Sequence, residues 1–436
     1  MPDSVVVREY ARLTSSYLAH STLDEAQVSQ TAFDWLCELS SGFSRSGAKL
    51  MQLENQHWLK LDSFVGVLES PCGQVIEILP KHFDEGDCER QSRDLLKKLI
   101  ASSLELNCRE AEEAGLKLYD APLAEWVMRQ FLHQLERLLK RGLRFDYQRV
   151  EEEQRYLRGQ LDVVRQMRQP PGRAHFFQIR HDVFLADRPE NRLLKRALLV
   201  VLDHAKESAN WRLAHELAAM LHELPESRNI EADFGRWQHD RLMAHYESIK
   251  PWCELILYRH MPLAVRGEHR GISLLFPMEK LFEQYVARML PLQLMPNAKL
   301  RTQARTKYLC RQGDKDMFQL KPDLLIERGK SVWVLDTKWK RVNSNSADTK
   351  YDLRESDFYQ MLAYARQYLP EGKGEMVLIY PKSQTFTAPL KHFDLHHDLL
   401  LHVWPFDLQR DELIITDYSS LPLCKRIALT RQKDVA

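Results

Sequence analysis

The chain has 436 residues, 44% hydrophobic and 28% charged, a composition typical of an ordinary globular protein. Its 62 Lys and Arg against 61 Asp and Glu leave a net charge of +1, so any contact with nucleic acid must come from a local basic patch or from a partner. This length is too great for one small core and predicts two or three domains.

The first residues, Met1-Pro2-Asp3-Ser4, lack the basic and apolar regions of a signal peptide, and no apolar run is long enough to span a bilayer. We therefore expect a cytoplasmic protein with no membrane contact. The seven cysteines lie far apart with no C-x-x-C pair, which argues against structural zinc or an iron–sulfur cluster and favours reduced thiols.

Residues 1–90 mix strand and helix signals and are predicted to form a small α+β module. Pro71 and Gly73 mark a turn between two of its strands. Nothing here has the spacing of a catalytic site. The expected elements are strands at 5–10, 59–68 and 75–79 and part of a helix at 31–39.

Residues 91–270 are predicted to form a helical middle domain. An apolar stripe over 123–139 is bounded by Pro122 at the helix start and Gly142 after its end, and two later runs, 193–202 and 213–224, repeat the pattern. Arginines and lysines are dense between these helices and can track phosphates. Acidic neighbours such as 151–153 leave a solvated mixed-charge surface as the alternative.

Residues 271–436 are predicted to form a third domain, centred on a two-stranded hairpin over 321–338. Leu324-Leu325-Ile326 is a short apolar run, and Val332-Trp333-Val334-Leu335 is as continuous as a strand buried on both faces. A polar segment containing Gly329 separates the two runs, as expected for a tight reversal.

Two carboxylates and a lysine lie at the ends of this hairpin. Asp323 opens the first strand, while Asp336 and Lys338 leave the second with one residue between them, so strand alternation places both on one face. Two carboxylates can hold Mg²⁺, and a lysine can orient or deprotonate a metal-bound water and offset transition-state charge. The set suits phosphodiester hydrolysis; the alternative is a surface hairpin whose Asp336 and Lys338 pair in solvent.

Pro322-Asp323 followed by Asp336-Thr337-Lys338 resembles the motif of the PD-(D/E)xK nuclease superfamily. Charges at the end of an apolar strand favour this interpretation over the solvated pair. The resemblance implies a mixed central sheet flanked by helices. The expected elements are helix 277–290, strand 299–308, the hairpin, helix 355–369 and strand 375–380, with further strands at 399–404 and 412–416.

Each flanking helix offers candidate site residues. Glu279 lies in a first helical turn, where the helix dipole accounts for a carboxylate by roughly 0.3–1 kcal/mol. Glu283 lies a turn deeper among apolar positions, so it is assigned as the auxiliary acid and third metal ligand. Gln360 and Tyr364, four apart on one helical face, resemble the Gln-x-x-x-Tyr element of RecB-like nucleases and are expected to orient the site or contact the DNA strand.

A local excess of positive charge accompanies the predicted sheet, although the chain as a whole is near neutral. Contact with phosphates is a reasonable use for it. The residues are Lys299, Arg301, Arg305, Lys307, Lys338, Lys340 and Arg341.

A longer series of motifs resembles the McrC family, the nuclease subunits of McrBC modified-cytosine restriction systems. The resemblance spans roughly residues 60–380, and the ordered succession is more specific than any one motif. The series comprises Val65-Gly66-Val67, Ile76-Glu77-Ile78-Leu79-Pro80-Lys81, Leu157-Arg158-Gly159, Glu190-Asn191-Arg192-Leu193-Leu194-Lys195, Lys280-Leu281-Phe282-Glu283, Lys321-Pro322-Asp323 and Asp336-Thr337-Lys338.

That resemblance implies a Mg²⁺-dependent endonuclease for double-stranded DNA, with no small-molecule cofactor. It also implies that the amino-terminal module engages and stimulates a McrB-like AAA+ GTPase hexamer, which recognises the modified base. The chain has no G-x-x-x-x-G-K-[ST] phosphate loop, so the motor would be another protein. Extra sequence before residue 60 and an extended helical middle depart from the family pattern.

Two other functions stay open at this point. The protein is alternatively an assembly factor and GTPase activator, or a self-sufficient DNA repair nuclease of the RecB-like type. DNA cleavage by the isolated chain would favour the repair nuclease.

Overall fold

A computed structural model describes residues 4–45, 50–55, 57–82, 89–103, 122–238, 240–258, 274–395, 398–416 and 418–424. They form two compact units, the first from residues 4–103 and 275–424 and the second from residues 122–258 and Leu274. The predicted multidomain α+β fold class is confirmed. Within the described ranges, no helix is both long and apolar enough to cross a membrane.

The amino-terminal part of the first unit contains two four-stranded sheets, ordered β3-β2-β5-β4 and β1-β7-β6-β11, where β11 is the later strand Leu274–Pro277. The strand predicted over 59–68 is wrong as a single element, because a turn at Asp62 separates β5 from β6. The Asp62 side chain accepts a hydrogen bond from the Ser63 N–H at 2.8 Å. The elements are β1 Ser4–Arg8, β2 Arg12–Thr14, β3 Glu25–Gln27, α1 Gln30–Arg45, β4 Met51–Asn55, β5 Trp58–Leu61, β6 Phe64–Glu69, β7 Val75–Leu79 and α2 Glu89–Ser103.

The second unit is mostly helical, as predicted, but it also contains the three-stranded sheet β8-β10-β9. The predicted middle domain began at residue 91, whereas α2 packs against β7 and against the helix Met278–Met289 in the first unit. The elements are α3 Leu123–Arg141, β8 Asp146–Gln154, β9 Gln160–Leu161, α4 Val163–Met167, β10 Phe177–Leu185, α5 Pro189–His204, α6 Ser208–Met220, α7 Ile230–Gly235 and α8 Lys250–Tyr258, with 3₁₀ turns at Pro171–Arg173 and Arg241–Tyr246.

The carboxy-terminal part of the first unit is built on a mixed sheet ordered β12-β15-β16-β17-β19-β18. β12, β15 and β16 pair antiparallel, and β16, β17 and β19 pair parallel. The elements are β11 Leu274–Pro277, α9 Met278–Met289, β12 Lys299–Thr302, β13 Lys307–Gln312, β14 Lys315–Leu320, β15 Leu324–Arg328, β16 Ser331–Thr337, α10 Glu355–Tyr368, β17 Gly374–Pro381, β18 Phe393–Asp394, β19 Leu399–Asp407 and β20 Glu412–Leu413, with 3₁₀ turns at Leu290–Gln293, Ala347–Asp352 and Pro370–Gly372.

Two predicted strands of this part need correction. The strand predicted over 299–308 ends at Thr302, because Gln303 has a left-handed backbone with φ of 46°. The chain then forms the separate hairpin β13–β14, which no pattern predicted. The strand predicted over 412–416 covers only Glu412–Leu413.

The core of this part lies along β15, β16, β17 and β19. Leu324, Val334, Leu335 and Leu378 are fully buried. Each buried aliphatic side chain contributes roughly 1.5–3 kcal/mol, so the strands form a rigid support. The polar residues at their ends are therefore held in defined positions.

Candidate active site

The end of β16 presents the first two candidate side chains together. The Asp336 carboxylate is only 1% exposed, and it forms an ion pair with the Lys338 ammonium. The side chain of Thr337, between them, lies on the opposite face of the strand, as the alternation of side chains in a β-strand requires. The structure thus places Asp336 and Lys338 on one face, and they do not form the solvated surface pair of the alternative interpretation.

Asp323 is held beside this pair at the start of β15. Its Oδ2 accepts hydrogen bonds from the Thr337 backbone N–H at 2.8 Å and from the Thr337 hydroxyl at 2.6 Å. Its backbone carbonyl accepts from the Gln303 N–H at 2.8 Å. Two bonds therefore fix Asp323 relative to the end of β16, and the third ties it to the residue that follows β12.

Gln360 and Tyr364 of α10 complete a continuous hydrogen-bond chain. The Lys338 ammonium donates to Gln360 Oε1 at 3.0 Å, and the Gln360 amide donates to the Tyr364 hydroxyl at 2.7 Å. The Tyr364 hydroxyl donates in turn to the Lys321 carbonyl at 3.0 Å. Gln360 and Tyr364 thus orient the Lys338 ammonium and link it to the segment that carries Asp323.

The electrostatics of the site reflect concentrated negative charge. Burial raises the pKa of Asp336 well above its usual range, and the nearby Asp323 carboxylate raises it further, against the lowering effect of Lys338. Burial lowers the pKa of Lys338, but Asp336 and Asp323 outweigh it, and the net shift is upward. Burial, then Asp336, raise the pKa of Tyr364 to about 12, so this hydroxyl keeps its proton at neutral pH.

Glu283 and Glu279 differ in their surroundings. Burial and then the Asp323 carboxylate raise the pKa of Glu283, and its Oε1 accepts a hydrogen bond from the Gln303 amide at 3.0 Å. Glu279 is exposed in the first turn of α9. The structure therefore brings Glu283 close to the Asp323 carboxylate, whereas Glu279 faces solvent.

The donor set suits Mg²⁺. No group of three or more His, Cys, Asp or Glu side chains in the described part of the chain is arranged as a ready metal centre. Mg²⁺, however, commonly takes only one or two carboxylates and keeps several waters. Asp323 and Asp336 can supply such oxygen ligands.

Several neighbours of the site had no distinctive sequence pattern. Thr337 holds Asp323, and the Lys340 ammonium pairs with Asp357 at 3.0 Å. Asp357 also accepts from the Tyr380 hydroxyl at 3.3 Å. A polar residue at the end of a buried strand is the only signal that pointed to Thr337, and none pointed to Asp357.

A family comparison then identifies the chain. A model described as "McrBC 5-methylcytosine restriction system component" matches residues 59–381. The chain belongs to the McrBC family. All six candidate site residues of this McrBC-family chain lie inside the matched range, which ends with β17.

Solved structures share the fold of this McrBC-family chain. One is a half-complex of Thermococcus gammatolerans McrB AAA+ hexamers with bound McrC, at 18% identity, 95% coverage of this chain, 97% of that chain and a TM-score of 0.67. Another is the T. gammatolerans McrBC complex, at 18% identity, 70% and 90% coverage and a TM-score of 0.51. No curated protein matches the sequence.

Proposed function

We propose that this chain is the Mg²⁺-dependent DNA endonuclease subunit of a McrBC-type restriction system. The observation that carries the proposal is the network at the end of β16. It joins two carboxylates, a lysine and the Gln360–Tyr364 pair through hydrogen bonds at one end of a buried strand. A purely structural ion pair between Asp336 and Lys338 would not explain the second carboxylate, Asp323, held beside the buried Asp336.

Each residue then has a distinct role in phosphodiester hydrolysis. Asp323 and Asp336 would hold Mg²⁺, with Glu283 as the auxiliary acid. A bound Mg²⁺ supplies an activated water and neutralises charge on the scissile phosphate. Lys338, which pairs with Asp336, would orient the water and offset charge on the phosphate oxygens. Gln360 and Tyr364 would hold the Lys338 ammonium in its orientation.

The proposed partner is a McrB-like AAA+ GTPase hexamer. Support comes from the family assignment and from the T. gammatolerans assemblies, in which McrC is bound to McrB AAA+ hexamers. The chain itself has no phosphate loop for hydrolysing GTP. The near-neutral net charge also suits a nuclease that a partner delivers to double-stranded DNA.

Asp336→Asn tests this proposal against a matched control. We expect the variant to lose DNA cleavage in the presence of the motor, GTP and Mg²⁺ while still binding the motor. Asp407→Asn is the control, because Asp407 is also buried and pairs with a lysine, Lys382, at 2.7 Å, but lies outside the site. It should keep cleavage, and chelation of Mg²⁺ should abolish cleavage in both the control and the wild type.

The same assay separates the alternatives. If Asp336→Asn still cuts DNA, the site assignment is wrong. Efficient cleavage by the wild-type chain without a motor would support the self-sufficient repair nuclease instead. Stimulation of the motor's GTPase activity by a wild-type chain that never cuts would support the assembly factor.

A further inference from the structure

The hairpin β13–β14 stands out because it packs so little against the rest of its unit. Every residue of the two strands is exposed except Tyr308 and Leu320, which are half-buried. A two-stranded hairpin alone is at best marginally stable, and in the described part of the chain only α10 packs appreciably against this one. Its conformation is therefore not explained by burial of an apolar face.

The base of this hairpin is fixed to the same elements that hold the candidate site. The Tyr368 hydroxyl of α10 bonds to the Ala304 carbonyl at 3.1 Å and to the Leu320 carbonyl at 3.0 Å. Tyr364 bonds to the Lys321 carbonyl, and Asp323 follows two residues later. The hairpin thus projects directly from the edge of the site.

Residues 299–321, which include the hairpin, are strongly basic, in contrast to the net charge of +1 for the whole chain. Residues 299–321 contain seven Lys and Arg and only two acids, Asp314 and Asp316. Arg301 pairs with Glu327, and Arg311 pairs weakly with the two aspartates. In the described part of the chain, no ion pair holds the exposed Lys299, Arg305, Lys307, Lys315 or Lys321.

Two apolar side chains lie opposite each other among these cations. Tyr308 pairs with Gln319 and Cys310 with Met317, so the register sets Leu309 against Phe318. Leu309 is 49% exposed and Phe318 is 67% exposed. Phe318 also has a left-handed φ of 59°, a conformation that costs about 1–2 kcal/mol in a residue other than glycine.

We propose that β13–β14 is a DNA-contacting ribbon that lies in a groove of the duplex beside the scissile phosphate. Its lysines would contact phosphates, and Leu309 and Phe318 would contact base edges. The major groove of DNA admits a two-stranded β-ribbon, and apolar side chains are common contacts to bases. This inference rests on the proposed nuclease function and adds the surface that positions the substrate.

Binding of the full-length chain to a labelled DNA duplex, measured by fluorescence anisotropy in EDTA across a series of salt concentrations, tests the ribbon. Lys307→Ala with Lys315→Ala should reduce the slope of log affinity against log salt by about 2, one for each phosphate that the variant no longer neutralises. Leu309→Ser with Phe318→Ser should weaken binding about tenfold at every salt concentration and leave the slope unchanged.

Lys330→Ala is the matched control. Lys330 is exposed, no ion pair holds it within the described ranges, and it lies in the β15–β16 turn, at the opposite end of these strands from Asp323 and Asp336. It should bind DNA with wild-type affinity and slope. Since all substituted side chains are exposed, the variants should also unfold at the wild-type temperature, which a thermal melt checks.

Wild-type affinity and slope in both hairpin variants would overturn the ribbon, as would an equal loss of affinity in Lys330→Ala. Normal DNA binding combined with failure to bind the motor would also overturn it, because the hairpin's partner would then be a protein. Asp336→Asn separates the two proposals: if it abolishes cleavage while the hairpin variants bind normally, only the ribbon fails. If it still cuts, the proposed site fails whatever the hairpin variants do.

Discussion

Glu9 links the amino-terminal strands to the segment that carries the candidate site. Its side chain is fully buried and accepts hydrogen bonds from the Trp339 indole N–H at 2.7 Å and from the Lys81 backbone N–H at 2.8 Å. Trp339 follows Lys338 directly and packs against Phe282, with ring centroids 5.4 Å apart. Phe282 precedes Glu283. The Glu9 carboxyl group therefore fixes Trp339, which follows Lys338, and through Trp339 it supports Phe282, which precedes Glu283.

Glu9→Gln should change how stability depends on pH. Burial raises the pKa of Glu9 from 4.5 to about 7, despite the opposing hydrogen bonds. The unfolded chain releases this proton first, so the group's contribution is fully present below pH 4.5 and is lost as pH rises through about 7. The loss is about 3 kcal/mol at most. Urea unfolding in EDTA should show a smaller fall in the variant's free energy of unfolding across this range.

Two further variants control that measurement. Glu279→Gln removes an exposed glutamate and should leave the pH dependence unchanged. Glu9→Leu leaves the Trp339 and Lys81 N–H groups without an acceptor, so it should destabilise the protein by about 1–3 kcal/mol per group at every pH. A wild-type pH slope in Glu9→Gln would contradict the assigned role of burial.

Glu283→Gln should raise the Mg²⁺ concentration needed for half-maximal cleavage by roughly tenfold, a size typical of residues that support a metal site. The reason is that Glu283 senses Asp323 directly, whereas its Gln replacement has no charge to contribute. Cleavage assayed over a Mg²⁺ titration gives the measurement. Glu279→Gln on the same helix is the control, and a shift confined to that variant would reverse the assignment of the third acid.

At the scale of elements, burial on both faces made β15 and β16 predictable. Their apolar runs and the Gly329 reversal have no other good structural solution, and the observed strands lie within the predicted hairpin. β8 and β10 escaped prediction because charged cross-strand pairs such as Arg180 with Glu151, at 2.8 Å, replace apolar alternation. β13 and β14 escaped because exposed strands have almost no burial pattern.

The site was predictable to a similar extent. The spacing of Asp336 and Lys338 dictates a common face through local geometry alone. The bonds from Thr337 to Asp323 and from Lys338 to Gln360 join segments 14 and 22 residues apart, so they depend on tertiary packing. The resemblance to RecB-like nucleases singled out Gln360, but nothing in the sequence singled out Asp357.

Gly159→Ala should be much more disruptive than Gly329→Ala. Both glycines have left-handed φ angles, +71° and +61°. A Cβ at residue 159 would lie 2.4 Å from the Arg180 carbonyl oxygen and 2.6 Å from His181 Cβ, whereas one at residue 329 would meet nothing within 4 Å. We expect about 1 kcal/mol for Gly329→Ala and about 2–4 kcal/mol for Gly159→Ala. Equal losses in denaturant unfolding would contradict this account.

Across the whole molecule, several residues of the family pattern have structural rather than chemical roles. Glu77 is buried and pairs with Arg93 at 2.7 Å. Asn191 donates to the Arg144 and Ala186 carbonyls, both at 2.8 Å, and accepts from Tyr246. Such buried polar groups are costly to leave unpaired, so their identity is constrained by the fold. The pattern therefore combines fold-defining residues with the residues of the candidate site.

The first unit joins the two ends of the described chain. Besides the bond from Trp339 to Glu9, the Lys98 ammonium donates to the Leu408 carbonyl at 2.8 Å, and Arg288 donates to the Ser102 carbonyl at 2.9 Å. Helix α2 packs against α9 in the same unit. Residues 4–103 consequently depend on segments that follow residue 275.

This dependence predicts how two fragments behave, one that ends near residue 270 and one that contains only residues 122–258. A fragment ending near residue 270 would lose β11, which pairs with β6, and would leave Glu9 buried against no indole donor. Its amino-terminal strands should therefore be unstable, while residues 122–258, which form the second unit with buried residues such as Trp126, Phe131 and Trp252, should fold alone.

Circular dichroism and thermal melting of both fragments give the measurement. We expect one cooperative transition in each, arising in the longer fragment from the second unit alone, with amides of residues 4–82 exchanging hydrogen rapidly. Protected amides in that range would show that the amino-terminal strands fold without their carboxy-terminal partners, and failure of such a fragment to bind the motor would then report on recognition rather than on unfolding.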